Sequence, residues 1–166
     1  WSELLEYAEA LTTDDTYGLA ISLPTPNTTA FQFLPYVWMA GSDIDSLDAS
    51  GTIQALELIE ALVENGWMSK EVLNWSQGDT ANQFIQGRAA MYVEGPWRLS
   101  TLESDAEFDW GVAKLPEGPV TFSSVLGGEN ITMTTDAEKD AAVRDAAWRL
   151  IEFTQREENI LKLNLG

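Results

Sequence analysis

Cysteine and histidine are both absent from this chain of 166 residues. Without cysteine there can be no disulfide framework, no thiolate nucleophile and no thiolate metal site. Cysteine-free chains occur inside and outside the cell, so compartment stays undecided. Without histidine the commonest general base and the commonest transition-metal ligand are missing, and a Ser-His-Asp triad cannot be assembled within the chain. Positive charge is scarce too. Nine Lys and Arg face 27 Asp and Glu, a formal net charge of −18, and no basic residue precedes Lys70. Such a surface repels phosphate backbones and anionic membranes, so no nucleic-acid partner is expected. Long apolar runs are lacking: nothing reaches the roughly 18 residues needed to span a bilayer. No signal-peptide pattern is present, and the chain begins on Trp1 without Met. It reads as a mature fragment or a trimmed piece, so the missing targeting signal says nothing about destination.

What remains is an ordinary globular composition, 45% hydrophobic, long enough for one domain with a sizeable core. Leu4, Leu5, Ala8 and Leu11 share one face of a helix predicted over Ser2 to Leu11, with Glu3, Glu6 and Glu9 opposite. Tyr17 to Ser22 reads as a strand. Asn27, Thr28 or Thr29 is expected to cap an apolar, aromatic helix over Ala30 to Ala40, distorted at Pro35 and stopped by Gly41. After an acidic loop, Ser50 and Gly66 bracket a third helix carrying Ile53, Leu56, Ile59, Leu62 and Val63. A short helix is placed near Lys70 to Leu73. Asp79 is expected to cap a helix ending at Gly87, Ala89 to Val93 to form a strand, and Pro96 to begin a helix. Phe108 to Leu115 reads as a strand, Pro116-Glu117-Gly118-Pro119 as a linker, and Ser124 to Thr134 as extended. Asp136 is expected to cap a long helix over Ala142 to Phe153, with a helical tail from Asn159 to Leu165. Strands separated by helices point to an α/β sandwich.

Three segments could carry a site. Gly95-Pro96-Trp97 sets an aromatic face beside a helix start whose N–H groups lack partners. Pyranose C–H faces pack on such a surface, although Trp97 could equally be a core residue. The seven tryptophans suit carbohydrate contact and plain packing alike. Trp38 and Trp97 follow or enter turns, Trp67 and Trp75 lie in short connections where partial exposure is plausible, and Trp110 and Trp148 sit inside regular elements and read as core. Gly127-Gly128-Glu129-Asn130 pairs glycines with polar residues, which fits a close backbone approach to a ligand or a bulge with solvated side chains. Asp43, Asp45 and Asp48 fail the EF-hand spacing, because Leu47 and Gln54 stand where ligands are required, so no metal is expected. No acidic pair sits in a recognisable catalytic motif. No cofactor and no enzymatic activity are expected.

In their order, these pieces resemble the extracellular solute-binding proteins of sugar-type ABC transporters, the maltose-binding-protein-like group. Trp1-Ser2-Glu3-Leu4 is similar to the family's first helix start here, and Phe33 to Gly41 to its aromatic helix. Phe84-x-x-Gly87-x-Ala89-Ala90-Met91-x-x-x-Gly95-x-Trp97 is the most specific match. Gly111 to Pro116, Gly127-Gly128, and Ala146-Ala147-Trp148-x-x-Ile151-x-Phe153 complete it. The resemblance implies an α/β, periplasmic-binding-protein-like fold, with this chain mainly one lobe of a two-lobe protein that closes over its ligand by hinge motion. Residues 1–120 would be most of the C-terminal lobe. Residues 121–166 would be a crossover segment and helices of the other lobe. The implied ligand contacts are Trp97, Trp38, Thr29, Phe31, Gly128, Glu129 and Asn130, with Thr29 to Phe31 in a loop before the aromatic helix. The implied role is capture of a sugar or other small solute and delivery to ABC permease subunits. The protein would be a monomer, extracellular as a membrane-anchored lipoprotein or periplasmic. A carbohydrate-active hydrolase fragment and a structural interaction domain are the alternatives.

Overall fold

A computed structural model describes residues 1–127 and 130–165, with the side chains of residues 163–165 left out. The chain divides into two compact units, Trp1–Val125 and Leu126–Gly166, each described by itself.

In the first unit, helix α1 (Ser2–Leu11) leads to strand β1 (Tyr17–Ala20). Leu4 and Ala8 are buried while Leu11 stays exposed, so the apolar face meets the core over its first two turns. Helix and strand approach closely at Gly18, where a Cβ would stand 2.0 Å from the Ala8 carbonyl oxygen. Thr12 ties the contact, its hydroxyl donating to the Ala8 carbonyl at 2.6 Å and accepting from the Gly18 N–H at 3.0 Å.

Helix α2 (Pro26–Met39) begins four residues earlier than the sequence suggested. Thr25, not Asn27 to Thr29, is its cap, accepting from the Thr28 N–H at 3.4 Å, and Pro26 supplies the first helical turn. Pro35 sits inside the helix and has no N–H to give the carbonyl of Phe31. Gly41 ends the run with φ of 78°. Helix α3 (Ser50–Glu64) packs on α2, and its cap position is Ala49 rather than Ser50. A 3₁₀ turn over Lys70–Leu73 follows. Helix α4 (Gln77–Ile85) opens on Ser76, whose hydroxyl accepts from the Asp79 N–H while Asp79 accepts in return from the Ser76 N–H. Asp79 is therefore the third residue of a capping box and not the cap itself. The Ser76 bonds hold the Asp79 carboxyl below its usual range.

Strand β2 (Ala89–Tyr92) pairs with β1 in parallel, Tyr17 opposite Ala89 and Leu19 opposite Met91. On its other side β1 is met by the segment after α3, with the Leu19 N–H donating to the Trp67 carbonyl at 3.1 Å. Leu4, Ala8, Leu19, Ile21, Tyr36, Val37, Ala55, Leu58, Leu62, Met68 and Val72 form the core, and Trp67 and Trp75 pack partly buried against it.

Two predicted strands do not form. Residues 106–125 run without strand pairing, leaving Phe108 and Val112 exposed. Apolar alternation makes a strand only where an edge is available to pair with it, and residues 124–127 and 130–134 likewise lack a ladder. Trp110 lies in no regular element and is half-buried. The Pro116–Pro119 segment folds onto the end of α2 rather than running free. The Val120 and Thr121 N–H groups donate to the Met39 carbonyl at 3.0 and 3.2 Å.

The second unit holds helices α6 (Ala141–Thr154) and α7 (Glu157–Leu165), numbered after α5 (Leu99–Asp105) of the first. Asp140, not Asp136, caps α6, accepting from the Ala142 and Val143 N–H groups. Asp136 instead precedes a separate 3₁₀ turn, Ala137–Lys139. Trp148, expected in the core, is 52% exposed, its indole N–H donating to Glu152 at 2.9 Å.

Candidate solute-binding site

Beyond the carboxyl end of β2 the chain runs Val93-Glu94-Gly95-Pro96-Trp97-Arg98, with Pro96–Arg98 wound as a 3₁₀ turn. The expected α-helix is delayed to α5, which starts at Leu99. Trp97 is half exposed, and its indole ring lies against the Gly95 backbone: a Cβ on Gly95 would stand 2.2 Å from that ring. Only glycine leaves room for this arrangement. Phe31 meets Trp97 with ring centroids 5.5 Å apart and planes tilted by 48°. The two rings form an open aromatic corner, with Trp97 from the turn and Phe31 from α2.

Thr29 and Phe31 lie inside α2, not in a loop before it, because the helix starts at Pro26. Thr29 is half-buried, two residues ahead of Phe31. Trp38 sits seven residues further along, with its indole N–H donating to Asp43 at 2.9 Å. That bond and the adjacent Ile44 N–H hold the Asp43 carboxyl below its usual range. The Trp38 donor is therefore already used in closing the turn after α2. Asn130 is exposed and belongs to the second unit, while Gly128 and Glu129 lie outside the described residues. Among the described residues no group of acidic side chains could hold a metal ion.

Four polar residues around the corner were not singled out by sequence. Gln32, buried next to Phe31, donates from Nε2 to the Val93 carbonyl at 3.3 Å and joins α2 to the end of β2. Glu94 has a side chain only 3% exposed. Its Oε1 accepts from Gln77 Nε2 at 2.9 Å and from the Gly95 N–H at 3.1 Å. Burial pushes the Glu94 carboxyl above its usual range, while the Gly95 N–H, the Arg98 charge and the Trp97 side chain oppose the shift. Arg98 Nε stands 4.0 Å from Glu94 Oε2. The available signals were modest: a lone Gln inside the run Ala30 to Leu34, and a lone Glu between an apolar strand and a Gly-Pro turn.

An aromatic corner at the carboxyl end of a parallel strand, near the buried side chains of Gln32 and Glu94, is a candidate binding place on an α/β lobe. Ligands of open α/β sheets collect at that end. Comparison with known proteins is more specific. The family model described as bacterial extracellular solute-binding protein matches residues 1–163, and the chain belongs to that family. A Brucella abortus protein named as a candidate binding protein is 22% identical over 162 residues, covering 92% of this chain and 38% of that protein. Its Brucella suis counterpart matches equally well. The maltotriose-binding protein of Pyrococcus abyssi is 34% identical over 90 residues, 50% of this chain and 19% of that protein. The chain thus spans 38% of the length of the first of these relatives. Family membership makes it an extracellular solute-binding domain, working in the periplasm or outside the cell.

Proposed function

We propose that this chain supplies most of one lobe, with part of the other, of the solute receptor of an ABC importer, and that its solute is a sugar or oligosaccharide. Residues 1–120 serve as the larger part of the C-terminal lobe, and residues 121–166 cross to the other lobe. The observation that carries the sugar reading is the Trp97–Phe31 corner, half exposed at the end of β2. An aromatic face of this kind packs on the C–H face of a pyranose, and polar groups beside it select hydroxyls. The similarity to a maltotriose-binding protein supports the same reading. Trp97 and Phe31 supply the stacking surface, and Thr29, Trp38, Gly128, Glu129 and Asn130 contribute further contacts in the closed protein. Binding involves no chemistry. Lobe closure reports occupancy to the permease. The receptor acts as a monomer, held as a lipoprotein or free in the periplasm.

Calorimetric titration of the full-length protein with a panel of maltose, maltotriose and unrelated disaccharides tests this reading. Saturable binding of at least one sugar, weakened by Trp97→Ala, is expected. Heat-free titrations across the panel overturn the sugar assignment, and release of reducing ends overturns the receptor assignment in favour of a hydrolase.

A further inference from the structure

The turn that presents Trp97 is fastened to helix α4 on two sides. Glu94 Oε1 accepts from Gln77 Nε2 at 2.9 Å, and the Arg98 guanidinium rests on Gly78, where Nη2 would be 3.5 Å from an added Cβ. Gln77 and Gly78 are the first two residues of α4. The same Oε1 also accepts from the Gly95 N–H. A single carboxylate oxygen therefore joins the start of α4 to the glycine on which the Trp97 ring lies. Its other oxygen, Oε2, is buried and faces the equally buried Arg98 Nε at 4.0 Å, an ion pair too long for a hydrogen bond.

Burying a carboxylate this deeply is costly, and a core position would be better filled by an apolar side chain. A half-satisfied buried charge beside a half-exposed aromatic suits a group that sets the geometry of a site rather than one that only stabilises a fold. We infer that Glu94, bridged to Gln77, is a positioning residue that fixes the Trp97 ring against Gly95 and so determines how tightly the receptor grips its sugar. The inference rests on the sugar-receptor reading for its binding consequence but not for the latch itself.

The groups facing Glu94 are few. Gln77 on α4 is neutral, Arg98 carries the positive charge, and Tyr92 at the end of β2 has its phenol pushed up by burial and then by the Glu94 charge. Protonation of Glu94 weakens the charge-assisted bonds at Oε1 and removes its attraction to Arg98. Because burial raises the Glu94 carboxyl, this happens at a pH above the usual carboxylate range. The latch is closed above that pH and loosens as the pH falls through it.

The full-length protein labelled with 5-fluorotryptophan tests the latch without any ligand, the Trp97 signal being assigned from Trp97→Phe. The Trp97 fluorine resonance is expected to move with pH, with a midpoint above the ordinary glutamate range, and to lose that dependence in Glu94→Gln. Gln77→Ala keeps the Glu94 charge and removes only the tie to α4, so mere proximity of a charge predicts an unmoved resonance. A latch predicts a shifted one. Maltotriose affinity, measured by calorimetry, is expected to fall at least five-fold in both Glu94→Gln and Gln77→Ala. A Trp97 resonance indifferent to Gln77→Ala, or sugar affinity unchanged in both variants, overturns the latch. A wild-type protein that shows the resonance shifts but binds no sugar keeps the latch and overturns the sugar reading.

Discussion

The two units differ in what surrounds their apolar side chains. In Trp1–Val125 helices and strands bury one another: Leu62, Ile21, Val37 and Met39 have no exposed surface. Among the described residues of 126–162 none is buried, although α6 carries Val143, Trp148, Leu150 and Phe153 at 50% exposure or more. The helices of the two units are of similar length and periodicity, so propensity does not separate them. What separates them is the number of partners each face finds, since most helical stability in proteins comes from tertiary packing of an amphipathic face. The first unit closes a core around a parallel strand pair. The second leaves the apolar side chains of α6 exposed.

The largest expected effect compares two leucines. In the 166-residue chain Leu62→Ala should cost about 2–5 kcal/mol, as loss of a fully buried leucine does, while Leu150→Ala should stay within about 0.5 kcal/mol. Urea unfolding measures both. Repeating the pair in the full-length protein sharpens the comparison: a Leu150→Ala cost that rises towards that of Leu62→Ala means Leu150 is covered there. Equal costs in the short chain would break the distinction between the units.

Tyr36 gives the next effect. It is 1% exposed, and burial pushes its phenol up to about 12. The unfolded phenol ionises near 10, so the folded state holds its proton over a range where the unfolded state has lost it. The stabilisation is complete below pH 10, and about 2–3 kcal/mol is lost as the pH rises towards 12. Tyr36→Phe should remove that part of the alkaline loss in pH-dependent denaturation curves. No comparable alkaline loss is expected from the second unit, which contains no tyrosine.

Trp97 and Trp148 are equally exposed, at 50% and 52%, but stand on different ground. Trp97→Ala should weaken sugar binding by the full-length protein by more than about 1 kcal/mol and lower stability by less than that. Trp148→Ala should leave sugar affinity unchanged. A stability loss of about 3 kcal/mol or more for Trp97→Ala with unaltered affinity would make it a core residue instead.

The smallest effects concern caps. Ser76→Ala removes the capping box of α4 and should cost about 1 kcal/mol in thermal unfolding. Asp140→Ala removes the side-chain bonds at the start of α6 and should lower helical circular dichroism by a similarly small step. A much larger loss for Asp140→Ala would show that α6 depends on its cap because it lacks packing.

Much of the fold was legible in the chain. The helices over 2–11 and 50–64, the strand at Ala89, and the stops at Gly41, Gly66 and Gly87, all with φ between 70° and 78°, follow from local periodicity and from backbone that glycine tolerates. The caps were misplaced by one to four residues, because Ser, Thr and Asp lie close together before α2, α4 and α6 and only the hydrogen bond chooses among them. The strand expected at Phe108 failed for another reason: alternation reports a face, whereas a strand also needs a neighbour. At the site, Gly95-Pro96-Trp97 was visible as a motif, and Glu94 was not, since a lone acidic residue in a chain with 27 of them carries no signal.

By itself the sequence determined the chemistry that is impossible here, the positions of most helices, the turn that presents Trp97 and, through its motif order, the family. Those properties are local or compositional, and each is carried by residues near one another in the chain. Only the tertiary structure decided that Phe31 meets Trp97 across 66 positions, that Glu94 is buried against Gln77, and that Val143, Leu150 and Phe153 on α6 are at least half exposed. Such contacts depend on which faces the parallel strand pair brings together, and no local pattern encodes that choice.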